Sequence, residues 1–218
     1  MEWFAAVLLG YGLGSIPFGL LLAKAAGKGD IRQVGSGNIG ATNVLRAGGK
    51  GLAAAVLVLD AGKGFAAVKL AIEVVRLVEP NGNLFAVLAS GIAALVGHCF
   101  PIWLKFKGGK GVATMLGVAF AIDWQIGAAA ALAWLVVAWL TRISSLGGMS
   151  SAVAAPIAAV AISLLEPPGF LGFGDLISFA YSAAALALAA MAVIVLWQHR
   201  ANLARLRAGT EPKIGKKP

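Results

Sequence analysis

Charged residues are scarce in this chain: they make up 12% of its 218 residues, whereas soluble domains carry about 25%. The single cysteine, Cys99, excludes an intrachain disulfide. Neither histidine has an aspartate five positions on, and there is no Ser-centred G-x-S-x-G elbow. No cluster of His, Cys and carboxylates has metal-ligand spacing. These absences argue against a soluble domain, a metal site and a serine hydrolase, and we expect no cofactor.

Apolar residues make up 60% of the chain and form long uncharged runs. No Asp, Glu, Lys or Arg occurs within 3–23, 80–104, 124–141, 143–165 or 176–198. A helix needs about 20 mainly apolar residues to span a bilayer. The sequence therefore predicts an all-α, polytopic membrane helical bundle that forms a single domain over residues 1–218.

The spans are expected at 3–23 (kinked at Pro17), 52–76, 84–97, 147–165 and 176–198. We divide residues 112–141 into two short helices that meet at Asp123. One long crossing would place Arg142 and the basic tail opposite the other basic loops, against the positive-inside rule. The prediction is about seven transmembrane helices, with the N-terminus outside, an outer loop over 166–175 and a cytoplasmic tail over 198–218.

Two features within the spans suggest contacts between helices. The first span carries closely spaced glycines, which are typical of tight helix packing: Gly10, Gly12, Gly14 and Gly19. The second carries Asp60/Lys63 at i,i+3 and Lys69/Glu73 at i,i+4, so each pair can neutralise itself. We interpret Lys69/Glu73 as a structural ion pair. Asp60/Lys63 either lock helices together or support an active site.

The formal net charge of +9 raises the question of nucleic acid. The basic residues, however, flank hydrophobic spans, where cytoplasmic loop bias and anionic lipid headgroups explain them better. We therefore expect membrane lipids as partners, and no nucleic acid.

The first candidate binding segment is Gly35–Arg46, which reads G-S-G-N-I-G-A-T-N-V-L-R. Its glycines match the dinucleotide pattern G-x-G-x-x-G, but no strand precedes them, so dinucleotide binding is rejected. The turn leads to Thr42 and Asn43, which are good helix N-caps. Side chains suited to a phosphate are Ser36, Asn38, Thr42 and Arg46. The alternative is a Gly/Asn/Ser turn with a solvated arginine.

The second candidate segment is Gly97–Thr114, which reads G-H-C-F-P-I-W-L-K-F-K-G-G-K-G-V-A-T. After His98 it interleaves lysines and glycines: Lys105, Lys107, Gly108, Gly109, Lys110 and Gly111. Glycine lets backbone N–H groups approach a ligand, and lysine supplies mobile positive charge. The segment is not a Walker A loop, because glycine follows Lys110 where Ser or Thr is needed. It predicts a phosphate site at a membrane surface; the alternative is a loop whose lysines only fix orientation.

The third candidate segment covers residues 199–211 and reads H-R-A-N-L-A-R-L-R-A-G-T-E. If the last span continues as a helix beyond the membrane, His199, Asn202 and Arg205 fall near one face. The alternative is a basic cytoplasmic stop sequence.

These three segments, with L-D-A-G-K-G at 59–64, resemble the bacterial acyl-phosphate:glycerol-3-phosphate acyltransferase family over essentially the whole chain. The resemblance implies transfer of a fatty acyl group from acyl phosphate to the 1-hydroxyl of glycerol 3-phosphate. The products are lysophosphatidic acid and inorganic phosphate. It also implies the bacterial cytoplasmic membrane, with the active site facing the cytoplasm, and leaves room for a transient soluble enzyme that delivers acyl phosphate.

On this resemblance, Ser36, Arg46 and Lys105 would hold glycerol 3-phosphate and act as the catalytic residues. Gly108–Gly111 with Lys110 would hold the acyl phosphate headgroup. Further substrate contacts are expected from Asn38, Thr42, His98, Lys107, His199 and Asn202. A substrate phosphate oxygen, with a second pKa of about 6, is the expected general base in preference to either histidine.

The alternative function is a membrane transporter of a phosphorylated solute. Such a protein also needs basic, glycine-rich broken helices at a cavity. Against it, the three segments gather at one membrane face, and no two halves of the sequence mirror each other.

Overall fold

The computed structural model describes the backbone of residues 1–165 and 173–214, and the side chains of 1–165 and 176–214. Residues 166–172 of the predicted outer loop (166–175) and the last tail residues, 215–218, lie outside the described residues; residues 173–175 of that loop belong to the last long helix instead. The helices are α1 (Glu2–Gly14), α2 (Phe18–Ala25), α3 (Ala41–Gly48), α4 (Lys50–Val78), α5 (Leu84–Cys99), α6 (Val112–Ile122), α7 (Trp124–Thr141), α8 (Ser144–Leu165), α9 (Phe173–Gln198) and α10 (Arg200–Arg207). Short 3-10 turns occupy Ile31–Gln33 and Ile102–Leu104. The prediction of an all-α fold is confirmed.

Six segments of the described chain are long and apolar enough to cross a membrane: Glu2–Ala25, Lys50–Val78, Leu84–Leu104, Trp124–Thr141, Ser144–Leu165 and Leu176–Gln198. The first is broken between α1 and α2, and Pro17 lies at the break, as predicted. Proline ends the backbone hydrogen-bond ladder of a helix, which leaves nearby carbonyls free for other partners.

Residues 112–141 form two helices that meet at Asp123, as predicted. The Asp123 carboxylate caps α7 by accepting from the Gln125 N–H at 2.6 Å, and it also accepts from the Tyr181 hydroxyl at 2.7 Å. The first helix of the pair, α6, has 11 residues and is about 16 Å long. That length is about half of the hydrocarbon core, so α6 is not among the six span candidates.

Glycines bring α1 close to α5. A Cβ on Gly10 or Gly14 would collide with the backbone carbonyls of Ser90 or Ala94. Contact this close allows van der Waals packing between the helices, which matters because lipid provides no hydrophobic driving force for their association. Of the predicted series, Gly19 is equally crowded, whereas Gly12 has nothing nearby. The prediction of tight packing is therefore wrong for Gly12.

Two local predictions need correction. The Lys69/Glu73 pair does not form: Glu73 pairs with Arg76 at 3.2 Å, and Lys69 lies 5.6 Å from the Phe65 ring centroid. The Lys69 ammonium is within the range of a cation–π contact with that ring, while the Glu73 carboxylate has its partner one turn further along α4.

Thr42 and Asn43 do not cap α3. Gly40 is its N-cap residue, and Asn43 lies inside the helix with its side chain buried.

Candidate active site

One cavity, of about 480 Å³, lies where four segments of the chain meet at one end of the bundle. Its walls come from residues 35–46, 110–113, 144–148 and 199–212, and from the inner faces of α4 and α7. It extends down α4 to Asp60, which is about 15 Å along the axis from the start of that helix. The three candidate segments of the sequence therefore share one site.

The glycine-rich segment forms the first wall, and Asn43 fixes its path. The Asn43 Oδ1 accepts from the backbone N–H of Ser36 at 2.9 Å. The Asn43 amide nitrogen donates to the carbonyls of Ile31 and Val34 at 2.8 and 3.0 Å. A buried amide with three backbone partners holds a turn in one conformation, because losing any one bond leaves a buried polar group unpaired. Ser36 is thereby fixed at the cavity.

Arg46 faces the same cavity from α3. Its guanidinium has no hydrogen-bond or ion-pair partner among the described residues. Asn38 and Thr42 line the cavity beside it, and Thr42 contacts the Ser144 hydroxyl of α8 at 3.0 Å. An arginine fork left free at a cavity wall is suited to bind two oxygens of a phosphate.

Residues 105–111, here called the lysine-glycine loop, supply the second wall. The N–H groups of Gly108 and Gly109 donate to the carbonyls of Cys99 and His98, both at 3.0 Å. Gln198 of α9 donates to the Gly109 carbonyl at 3.2 Å. The loop is therefore pinned from two helices, and Lys110 follows directly with its ammonium at the cavity.

Two expectations about this loop are wrong. The Gly108 and Gly109 N–H groups are already paired, so they do not face a ligand. Lys105 and Lys107 are exposed and do not line the cavity. The 3-10 turn at Ile102–Leu104 and the left-handed backbone of Lys105 direct them away. The structure brings Lys110 and Gly111, rather than Lys105, to Ser36 and Arg46.

The third wall is built by the tail. The buried side chains of His199 and Asn202 line the cavity, and Arg205 lies beside them. Asn202 accepts from the Lys110 ammonium at 2.5 Å and donates to Glu211 at 2.6 Å. Asn202 is therefore the link between the lysine-glycine loop and the tail.

Glu211 holds the tail against the bundle. Its carboxylate accepts from Ser145 at 2.6 Å and from Arg205 at 2.7 Å, in addition to Asn202. Burial opposes ionisation, but these three hydrogen bonds outweigh it and lower the pKa of Glu211. The carboxylate therefore stays charged and neutralises Arg205.

His199 is oriented as a neutral imidazole. Its Nδ1 lies 2.8 Å from the carbonyl of Val195, which can only accept, so Nδ1 carries the proton. Nε2 is then left with a free lone pair. Burial, reinforced by nearby Lys110, lowers the pKa of His199 to about 4 even though the Val195 hydrogen bond opposes the shift.

The predicted Asp60/Lys63 pair is present, with 2.8 Å between the ammonium and a carboxylate oxygen. Both side chains are buried, and Asp60 reaches the cavity together with His98. Across the described residues, no group of three or more His, Cys, Asp or Glu side chains is arranged to hold a metal ion.

The cavity carries an excess of positive charge. Glu211 is neutralised by Arg205 and Asp60 by Lys63, whereas Arg46 has no partner in the described structure. Lys110 meets only the neutral amide of Asn202 there. Two cations without carboxylates suit a dianionic ligand such as a phosphate monoester.

The comparisons with known proteins agree with this chemistry. A sequence profile described as glycerol-3-phosphate acyltransferase matches residues 4–209. A protein of that name from Erythrobacter litoralis (strain HTCC2594) is 51% identical over 98% of this chain and 95% of its own length. Another, from Novosphingobium aromaticivorans, is 52% identical over 99% of this chain and 96% of its own length. The chain belongs to the glycerol-3-phosphate acyltransferase family.

Solved structures share its fold. Two crystal structures of PlsY (YgiH), described as an integral membrane glycerol 3-phosphate acyltransferase, are 32% identical in sequence to this chain. Each match covers 99% of this chain and 96% of the PlsY chain. The TM-score is 0.81 for the glycerol 3-phosphate form and 0.77 for the lysophosphatidic acid form. The family fold therefore extends over essentially the whole enzyme.

Several cavity residues of the enzyme were not predicted from its sequence. The polar and glycine positions among them are Ser144, Ser145, Gly148 and Glu211. Only Glu211 left a signal, as a lone carboxylate in a basic tail. The others follow the short turn between α7 and α8, where two serines and two glycines resemble ordinary helix-packing residues.

The pH dependence of activity tests the role of Lys110. Burial lowers its pKa to about 8, so the free enzyme loses this charge as the pH rises above 8. We expect kcat/KM to fall above about pH 8, because that ratio reports groups in the free enzyme. In Lys110→Arg the fall should move beyond pH 10, since arginine stays protonated. Lys107→Arg, an exposed lysine of the same loop, should leave the profile unchanged; a wild-type profile flat to pH 10 would contradict the assignment.

Proposed function

We propose that this enzyme transfers a fatty acyl group from acyl phosphate to the 1-hydroxyl of glycerol 3-phosphate, giving lysophosphatidic acid and inorganic phosphate. Family membership supports the reaction, and the glycerol 3-phosphate and lysophosphatidic acid forms of PlsY support its substrate and product. The observation that carries the proposal is that Arg46 and Lys110 line one cavity without carboxylate partners in the described chain.

The substrates fit this cavity in one arrangement. The phosphate of glycerol 3-phosphate binds Arg46 and the Ser36 hydroxyl, with Asn38 and Thr42 beside them. The acyl phosphate headgroup binds Lys110, which Asn202 orients from the opposite wall. Placing both reactants against fixed donors supplies positioning and electrostatic stabilisation, which an already activated acyl donor chiefly needs.

The transfer itself is a displacement at the acyl carbonyl. The 1-hydroxyl oxygen attacks the carbonyl carbon, the bond from that carbon to the phosphate oxygen breaks, and inorganic phosphate leaves. The hydroxyl proton passes to a substrate phosphate oxygen. His199 is the weaker candidate base, because its pKa of about 4 is below the second pKa of a phosphate, about 6.

The acidic side of the pH profile of kcat/KM distinguishes the two bases. A fall in kcat/KM below a pH of about 6 supports the phosphate. A fall below a pH of about 4 that disappears in His199→Asn supports the histidine.

The acyl chain follows the apolar wall of the cavity. That wall consists of Leu57 on α4, Leu116 on α6, and Ala131, Trp134 and Leu135 on α7. A hydrocarbon chain gains about 0.8 kcal/mol for each buried CH₂. The polar and apolar ends of one cavity therefore match the two ends of an acyl phosphate.

We assign the cavity end of the bundle to the cytoplasm, with the N-terminus outside and the enzyme in the bacterial cytoplasmic membrane. Most basic residues flank that end, in agreement with the positive-inside rule. Val112 at the start of α6 lies at this end, and so does Ser144 just after α7. Because α6 begins and α7 ends at this end, the chain turns back at Asp123 between them, and α6 supplies a short seventh crossing.

Thiol labelling tests this assignment. Cys99 is buried, so a membrane-impermeant thiol reagent should label Arg207→Cys only from inside and Asn81→Cys only from outside. The reverse pattern would contradict the assignment.

Substitution of the apolar wall tests the path of the chain. Ala131→Phe adds a ring inside the cavity, so we expect kcat/KM for a long-chain acyl phosphate to fall about tenfold relative to a short-chain one. Leu132→Phe is the matched control, because that neighbouring side chain is exposed and does not line the cavity. Equal chain-length preference in both variants would contradict the proposed path.

Turnover by the purified protein tests the function directly. In detergent, with acyl phosphate and glycerol 3-phosphate, it should release one phosphate for each lysophosphatidic acid formed. Arg46→Lys should lower kcat/KM about 10- to 100-fold, because lysine retains the charge but loses the fork. Uptake of a phosphorylated solute by proteoliposomes without turnover would favour a transporter instead.

A further inference from the structure

The reaction described above leaves unused a buried polar cluster at the inner end of the cavity, formed by Asp60, Lys63 and His98. All three side chains are at most 5% exposed. Asp60 and Lys63 lie one turn apart on α4, and His98 is in the last turn of α5. Ionisable groups within membrane spans are costly, so their presence calls for a function beyond stability.

Lys63 joins this cluster to the break in the first span. Its ammonium donates to the carbonyl of Ile16 at 2.7 Å, one of the groups that the break at Pro17 leaves near the bundle interior. It also forms a buried ion pair with Asp60, with 2.8 Å between Nζ and Oδ1. Lys63 therefore holds Asp60 in place relative to two segments of the bundle.

Asp60 in turn faces the His98 imidazole. Nδ1 of His98 lies 3.6 Å from Asp60 Oδ1, too far for a hydrogen bond but close enough for attraction between them. Neither atom has a hydrogen-bond partner elsewhere in the described structure. The carboxylate thus biases one ring edge of His98 toward α4 and the other toward the lysine-glycine loop.

His98 supports that loop with both its backbone and its ring. Its carbonyl accepts from the Gly109 N–H at 3.0 Å. Its imidazole lies so close under Gly109 that a Cβ there would collide with Nε2. Lys110 is the next residue, and it points to Asn202 at the cavity. A shift of the imidazole would therefore move Gly109 and redirect the Lys110 ammonium.

We propose that Asp60, Lys63 and His98 are positioning residues that set the place of Lys110 through Gly109. This inference rests on the proposed function, in which Lys110 binds a substrate phosphate. The cluster touches neither substrate in this role. Through His98 of α5 the cluster contacts one side of Gly109, and Gln198 of α9 holds the Gly109 carbonyl. Together the two contacts set the orientation of Lys110 in the cavity.

A double-mutant cycle tests the inference. Asp60→Asn with Lys63→Met removes both charges and keeps the side-chain volumes, so it avoids an unpaired buried charge. We expect kcat/KM to fall about 10- to 100-fold in the wild-type background, with a near-normal melting temperature. In a Lys110→Met background the same change should cost less than about threefold, because the residue being positioned is gone. Equal losses in both backgrounds would overturn the inference.

The control is an exposed pair on the same helix. Glu73 and Arg76 have the same i,i+3 spacing on α4 and lie away from the cavity. Glu73→Gln with Arg76→Gln should leave kcat/KM within about twofold of wild type. A loss there as large as that from the buried pair would show a general effect on the helix and overturn the inference.

A second variant pair applies even if the buried pair cannot be replaced without unfolding. Gly109→Ala should lower kcat/KM, because its methyl group meets the imidazole. His98→Ser alone should also lower kcat/KM, but in the Gly109→Ala background it should cost less than about threefold, because the contact it removes is already lost. Losses that multiply in the double variant would overturn the inference. Absence of acyl transfer in the wild type would instead refute the proposed function, and normal activity of Lys110→Met would refute the role of Lys110.

Discussion

Arg46 and Lys110 come from distant parts of the chain and face one cavity inside an apolar helical bundle. Like charges at one cavity repel each other, burial adds a desolvation cost at Lys110, and in the described structure neither cation forms an ion pair with a carboxylate. Burial lowers the pKa of Lys110 most, the nearby Glu211 carboxylate opposes that shift, and the repulsion by Arg205 and Arg46 adds to it. A phosphate would relieve the cost, so the protein is organised to receive an anion.

The rest of the fold serves this arrangement through breaks in its helices. The first span breaks at Pro17, α5 ends at Cys99 before the lysine-glycine loop, and the last span breaks at His199. Each break places backbone and side-chain polar groups at the same end of the bundle. Asn43 fixes the loop before α3, and Glu211 joins the tail to α8, in each case by hydrogen bonds. A bundle of uninterrupted spans would offer an apolar cavity but no means of holding two headgroups.

Much of this could be predicted from the sequence, because the bilayer imposes length and charge rules that a single chain displays. Uncharged runs gave the spans, the positive-inside rule separated α6 from α7 at Asp123, and i,i+3 spacing found the Asp60/Lys63 pair. The sequence did not indicate which lysine reaches the cavity, because Lys105 and Lys110 have similar neighbours in it. The turn at Ile102–Leu104, which directs Lys105 away, is seen only in the structure. The roles of Asn43 and Glu211 depend on long-range backbone paths, which local patterns do not encode.

Equilibrium binding of the two substrates to the purified protein tests the central claim most directly. The account predicts that Arg46→Met weakens binding of glycerol 3-phosphate and that Lys110→Met weakens binding of acyl phosphate, each about tenfold or more, while Lys105→Met, outside the cavity, leaves both unchanged. It also predicts that inorganic phosphate competes with glycerol 3-phosphate. Affinity that survives in both cavity variants, or is lost in Lys105→Met alone, would contradict it.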